Sequence, residues 1–300
     1  MLLEYEIELL FLLNYSPFMK LIKLLVFTLM LYGPQAMSVT VLNIWQGNWS
    51  DSGLYLIRAL LDETKQEYGE YELRKVDWLE QARAQKELIA GRHISLLMFA
   101  TSAEREQLMW PIRVPLTNGT ASYRICLINK GQQARFNDIY DLNDWMSHNL
   151  IIGQGNKWPD VEILRANGLE VVTASRTHSL AEMMKRGRFD CATRALFEVE
   201  GFPQYGITIE QKLLFHYPMP SFLFVNKSNT DLYNRLSLGF ERIKRNGKFA
   251  GYIDKFYQQP IGQLSLHNRR VIYLDNPLLT EETRAALLKT ERLFSLKNGN

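Results

Sequence analysis

Along residues 39–257, short apolar runs alternate with segments whose apolar positions recur every three or four residues. The first period is that of strands, the second that of amphipathic helices. Val39–Trp45 is rich in β-branched and apolar residues and predicts a first strand. Leu54, Ile57, Leu61 and Thr64 then fall on one helical face. Tyr71–Asp77 predicts a strand and Leu79–Ala90 a helix. Ile94–Phe99 (ISLLMF) is continuously apolar, as a strand buried on both faces of a sheet must be. Thr101 and Glu104 stand at capping-box spacing and predict the start of the next helix.

The same order returns further on. Leu150–Gly153 predicts a strand, and Pro159–Asn167 a helix with proline in its first turn. Leu169–Thr173 predicts a strand. A helix capped at Ser179 ends at Gly187, and Phe189–Thr193 follows as a strand. The stretch around Gly91-Arg92 echoes that around Gly187-Arg188: each is a helix end, a Gly-Arg turn and a buried strand. Alternation of this kind predicts α/β layers with mostly parallel sheets, here in two similar halves. Two extended stretches, Ile112–Asn129 and Tyr217–Asn226, suit the crossings between them. Leu232, Leu236, Phe240 and Ile243 form a helical stripe, Phe249–Tyr257 a shorter helix, and Asn276-Pro277 a turn before a helix over about Glu281–Phe294. The expected organisation is an N-terminal segment 1–38, a first lobe made of 39–118 and 221–300, and a second lobe of 119–220.

The N-terminus suggests export. From Met19, Lys20 and Lys23 precede the apolar run Leu24–Tyr32, which is too short to span a bilayer. Gly33-Pro34 breaks the run, and Ala36-Met37-Ser38 offers small residues at a cleavage site. This reads as a secretory signal peptide starting at Met19 and an extracytoplasmic, periplasmic mature chain. Glu4, Glu6 and Glu8 do not suit a signal, so residues 1–18 read as an upstream extension. The rival is one membrane anchor from Leu9 to Leu31, against which Asn14, Ser16, Pro17, Lys20 and Lys23 argue.

Composition changes the picture in two respects. A chain of 300 residues that is 46% hydrophobic fills a real core, and a net charge of +3 with scattered Lys and Arg argues against nucleic acid. In an oxidising compartment Cys126 and Cys191 can pair as a disulfide; the alternative is two buried thiols. No catalytic or zinc-binding motif occurs, and the five histidines are dispersed.

Several segments, in order, resemble the type II periplasmic solute-binding proteins of the amino-acid-binding family. Thr101-Ser102-Ala103-Glu104-Arg105-Glu106 is similar to the family's ligand-binding T-x-x-R-E turn. Ile163–Leu169, Gly187-Arg188-Phe189-Asp190 and Asn246-Gly247-Lys248-Phe249 match its later segments. The resemblance covers roughly Val39 to Tyr257. It implies two lobes joined by two crossover strands, a ligand in the cleft, closure on binding, and delivery of a small solute to a membrane ABC importer, by a monomer that has no cofactor and is no enzyme. The alternatives on this fold are a ligand-sensing partner of a membrane receptor and a small-acid dehydratase-like enzyme.

The resemblance makes Arg105 the residue that grips a ligand carboxylate, since a guanidinium offers two parallel donors. Ser102 would add a hydroxyl at the same helix start. On the other lobe, the turn Gly153-Gln154-Gly155-Asn156-Lys157 can bring backbone N–H groups to an anion; Gly155, Asn156 and Lys157 are its candidates. Trp45 is the candidate aromatic wall, with Trp49 and Trp78 behind it. The family usually places an acid for the ligand amine shortly after the G-R-x-D strand. Here Arg194 stands near that place, with Glu198 beyond. An ordinary α-amino acid is therefore in doubt, and an anionic solute is expected. A Cys191–His dyad and a ligand role for His178 stay open at this level.

Overall fold

The computed structural model describes residues 39–48, 50–156, 158–176, 179–199, 206–290 and 294. The signal-peptide reading, Trp49, Lys157 and His178 lie outside the described residues.

Two sheets organise the chain. The first contains β1 (Thr40–Trp45), β2 (Tyr71–Val76), β3 (Leu96–Ala100), β4 (Trp110–Ile112) and, from much later, β11 (Ser221–Val225), in the order β2-β1-β3-β11-β4. The β1 strand pairs in parallel with β2 and β3, whereas β11 runs antiparallel to β3 and β4. The continuous apolar runs are explained by two-sided burial. Leu42, Ile44, Leu96, Leu223 and Val225 face a layer made by α1 (Asp51–Asp62) and the long α8 (Thr230–Arg245). Leu97, Phe99, Phe222 and Phe224 face the opposite layer, with α3 (Gln81–Ile89). Alternate side chains of one strand point to opposite faces, so both layers need apolar residues.

The predicted stripe Leu232, Leu236, Phe240 and Ile243 is buried against α1. Gly239 lets the two helices meet closely: a Cβ there would lie 2.6 Å from the Leu60 carbonyl oxygen. Arg235 shares this buried side of α8. Its guanidinium donates to Thr64 Oγ1 at 3.2 Å, to Thr40 Oγ1 on β1 at 2.8 Å and to the carbonyl of Gly69, at the C-terminus of the short helix Lys65–Tyr68, at 2.8 Å. A buried cation needs such acceptors, and carbonyls near a helix C-terminus carry the right sign.

The second sheet has the order β12-β10-β5-β8-β6-β7, with β9 (Ile207–Ile209) also on β5. Its strands are β5 (Tyr123–Asn129), β6 (Ile152–Gly155), β7 (Val171–Ala174), β8 (Cys191–Ala195), β10 (Leu213–His216) and β12 (Arg270–Tyr273). The pairs β6–β7, β6–β8 and β10–β12 are parallel; β5 is antiparallel to β8, β9 and β10. Helices α6 (Pro159–Ala166) and α7 (Ser179–Lys185) cover it, and Trp145 is enclosed in its core. Cys126 on β5 and Cys191 on β8 are joined by a disulfide, which settles the pairing left open by sequence and removes Cys191 as a nucleophile. The strands β6 and β8 begin two residues later than the pattern suggests, because the preceding residues complete the approach to the sheet rather than its ladder.

Segments 113–122 and 217–220 cross between the sheets, at the two places expected. They are bonded to each other: Tyr217 N–H donates to Ser122 O at 3.1 Å, Met219 N–H to Ser122 Oγ at 3.1 Å and Leu116 N–H to Ser221 O at 3.0 Å.

The C-terminal part departs from the expectation that 221–300 stays with the first lobe. After α9 (Lys248–Ile253) the helix widens into a π-helical turn at Asp254–Gln258 and passes to the second sheet, where Arg270–Tyr273 pairs with β10. The chain then returns. A last helix, Glu281–Lys289, presents Thr283 to Glu106 of α4 (Ala103–Leu108). Strand pairing across such a sequence gap leaves no local trace, so β12 is assigned by its partner alone.

Candidate functional site

Between the two sheet-centred halves lies a cavity of about 450 Å³. The first half contributes Trp45, Asn48, Ser52, Met98, Phe99, Arg105, Tyr252 and Tyr257. The second contributes Arg124, Trp158, Asp160, Thr193, Arg194 and Phe197. Four charged side chains on this wall are deeply buried: Arg105 (5% exposed), Arg124 (6%), Arg194 (7%) and Asp160 (6%). Glu80 and Glu198 also line it but are exposed.

Arg105 sits in α4 just after β3. Its Nε donates to Gln85 Oε1 at 3.2 Å, Nη2 to Gln81 Oε1 at 3.3 Å and Nη1 to the Ala100 carbonyl. These acceptors are neutral. The guanidinium lies over the Phe99 ring, 4.8 Å from its centroid. Burial pulls its pKa down to about 10, against the weaker opposing pull of Glu104 and Asp160. It remains a cation at neutral pH, and one stripped of much of its water. Arg194, on β8, lies over the Trp158 ring at 4.5 Å, and burial lowers its pKa too.

Arg124 and Asp160 have a different role. Arg124 Nε donates to Asp160 Oδ1 at 2.9 Å, and the Tyr217 hydroxyl donates to the same oxygen at 2.6 Å. Nη1 of Arg124 donates to Ala121 O at 2.6 Å. Burial pushes the Asp160 carboxyl up, but the Arg124 charge and the Tyr217 hydrogen bond outweigh it and hold the group below its ordinary value. Burial likewise pulls Arg124 down, and Asp160 more than restores it. This is an internally neutralised structural pair that ties β5 and the start of α6 to the crossing at Tyr217.

The predicted site residues divide accordingly. Trp45, Arg105 and Arg194 reach one cavity. The Trp45 indole donates to Leu79 O at 3.0 Å and rests against Trp78 and Phe99. Ser102 does not line the cavity. It caps α4, its hydroxyl accepting from Arg105 N–H at 3.3 Å, so the cap falls one residue later than the predicted Thr101. Thr101 instead donates to Glu106 Oε1 at 2.6 Å. Gly155 and Asn156 are also off the wall: the Trp158 ring lies where a Cβ of Gly155 would stand, and Asn156 is exposed with its N–H on Ala174 O at 2.8 Å. The wall at that turn is made by Trp158, Pro159 and Asp160. Sequence reasoning missed Arg124 and Asp160; the available signal was an arginine within the apolar run 123–128, where burial demands a partner.

Among solved structures, several superpose on this architecture. An amino acid ABC transporter substrate-binding protein, AbpA, from Streptococcus pneumoniae, bound to L-arginine, has a TM-score of 0.53 at 16% identity, over 71% of this chain and 86% of that one. An ancestral arginine-binding protein bound to glutamine gives 0.51 at 17%, over 68% and 86%. The GluR0 ligand-binding core from Nostoc punctiforme, in complex with L-glutamate, gives 0.50 at 13%, over 73% and 97%. The chain has the type II periplasmic-binding fold. No protein-family model matches it, and no curated protein matches significantly. Arg105 and Arg194 both line the cavity between the two sheet-centred halves of this chain. At these identities the likeness is one of fold, and the chemistry of the cleft has to be read from this chain's own side chains.

Proposed function

We propose that this protein is an extracytoplasmic solute-binding protein. It closes over a small anionic solute and presents it to a membrane importer. The carrying observation is the pair of buried guanidiniums, Arg105 and Arg194, set on opposite halves of one cavity beside an Arg124–Asp160 pair that is already neutralised. A solute that touches both stabilises the closed arrangement and not the open one, which is the condition for ligand-driven closure. The two sheet-centred halves then act as the moving lobes.

Binding rather than catalysis fits the same inventory. Asp160 is held ionised by Arg124 and Tyr217, so it is not poised to exchange protons near neutrality. Cys191 is consumed in the disulfide. That disulfide supports export to an oxidising compartment, and with it the signal peptide starting at Met19 and a periplasmic location. A monomer working with a permease, and no affinity for nucleic acid, complete the reading.

The test is a thermal-shift and calorimetric screen of small anions, neutral sugars and cationic amino acids. Stabilisation by anions is expected. Stabilisation by cationic amino acids alone refutes the anionic solute.

A further inference from the structure

The charged groups of the cavity are much occupied with the protein itself. Arg124 and Asp160 form an ion pair at 2.9 Å. The Arg105 nitrogens donate to Gln85, Gln81 and the Ala100 carbonyl, and Arg194 lies in the field of Glu198 and Asp160. These groups set the sign of the potential in the cavity. What a guest meets at hydrogen-bond distance depends as much on the uncharged wall, which is rich in hydroxyls. Ser50, Ser52, Tyr252 and Tyr257 line the first half, Thr117 the first crossing and Thr193 the second half. Tyr252 and Tyr257 are both buried, and their hydroxyls, 3.1 Å apart, share one bond between two donors. A hydroxyl carries one proton and two lone pairs, so one of those protons needs an acceptor beyond the pair. The Ser52 hydroxyl interacts with Tyr257 and lies 3.2 Å from that of Ser50. The row can therefore run in either direction, with its surplus donor at either end. Thr117 and Thr193 are buried too. Thr117 Oγ1 accepts from the Ala121 N–H at 3.4 Å and Thr193 Oγ1 from Gln154 Nε2, and each hydroxyl, as an acceptor in that bond, still has its own proton to give.

Resting on the anion-binding reading above, we propose that the solute is a polyhydroxylated carboxylate of the sugar-acid class, and that Tyr257 and Thr193, one on each half, are the residues that select its hydroxyls. A guest that set plain hydrocarbon against this wall would strand buried hydroxyls, at the full cost of their lost hydration. A guest with hydroxyls of its own pairs with them in both directions, as donor and as acceptor. A site built on such bonds rejects the analogue that lacks them, because its own polar groups are then left unpaired. The rings of the cavity suit the same guest. Trp78 is exposed, lines the wall and lies 5.4 Å from Trp45, so it offers a ring surface to the C–H groups between hydroxyls. An α-amino acid brings an ammonium instead, and the buried acid that could meet it, Asp160, already accepts from Arg124 and Tyr217.

The experiment is titration calorimetry on the intact protein with probes matched in carbon skeleton: gluconate against hexanoate, tartrate against succinate, with glucose as the uncharged polyol and L-glutamine as an amino acid. In at least one pair the hydroxylated acid is expected to bind roughly tenfold or more tightly than its partner. Tyr257→Phe and Thr193→Val each delete a hydroxyl and keep most of the side chain, and each should cut that ratio by about fivefold or more. The wild-type series decides even if a variant fails to fold. Hexanoate and succinate binding as tightly as their hydroxylated partners, L-glutamine binding more tightly than either hydroxylated acid, or no binding of a hydroxylated acid at all overturns the proposal, while the solute-binding role stands on whatever other anion binds. A ratio that survives both variants also overturns it. Glucose binding where no carboxylate does overturns the anion-binding function itself.

Discussion

Asp160→Asn isolates the buried ion pair on which the charge assignment depends. Asparagine keeps the shape and the Oδ1 acceptor, so Arg124 Nε and the Tyr217 hydroxyl, now at 2.9 and 2.6 Å, retain a partner. Only the charge is removed, and Arg124 is left ionised in a site that is 6% exposed. Breaking a buried pair on one side costs about 3–5 kcal/mol. With the acceptor preserved, the low end applies, about 3 kcal/mol. For a unit of this size that corresponds to a melting point lowered by roughly 6–12 °C. Urea denaturation followed by tryptophan fluorescence measures it. Adding Arg124→Met to Asp160→Asn removes the stranded cation, so the double variant should recover much of the loss rather than sum the two costs. The pH dependence carries the same signature. A carboxyl whose folded pKa is depressed stabilises the protein above its unfolded pKa, about 3.9. That contribution disappears as pH falls through the lower folded value. The wild type should therefore hold its Asp160 contribution at pH 5 and lose it toward pH 3 and below, whereas Asp160→Asn should lack this part of the acid slope. A loss under about 1 kcal/mol, or strictly additive single and double variants, refutes the argument that this pair is structurally neutralised.

Other consequences follow from the same geometry. Arg105→Ala should weaken anion binding by about 30-fold or more in calorimetry, the cost of deleting a desolvated charge partner; unchanged affinity removes Arg105 from the site. Replacing Cys126 and Cys191 together by serine opens a cross-link of sequence separation 65, worth up to about 4 kcal/mol by loop entropy, and a melt insensitive to both this change and reductant would contradict the bond. Glu106 accepts from Thr101, Thr280 and Thr283 and pairs with Arg113 at 2.7 Å, so it binds α4, the first crossing and the C-terminal return together. Glu106→Ala should accelerate hydrogen exchange across Glu281–Lys289 by about tenfold or more, and exchange confined to wild-type rates would show that the helix is held by other contacts.

The class of fold was legible in the chain itself. An apolar run such as 94–99 can be stable only with both faces covered, and the stripe at 232, 236, 240 and 243 predicts a helix with one buried face. The Gly-Arg turns and the two extended crossings followed from local rules of backbone conformation. Arg105 and Arg194 could be chosen as candidates because of the family resemblance, which places one in a T-x-x-R-E turn and the other shortly after a G-R-x-D strand.

Local pattern has no information about partners distant in sequence. It could not place β12 beside β10, because pairing energy depends on which edge is vacant and not on the four residues RVIY themselves. It could not tell a capping hydroxyl at Ser102 from a ligand contact, since both need the same side chain at the same helix start. Nor could it separate Arg124 from Arg194. One guanidinium meets Asp160 and becomes part of the framework; the other stacks on Trp158 at the cavity wall. Electrostatic energy in a desolvated site is set by distances of a few ångströms between residues far apart in sequence, and only the folded chain defines those distances.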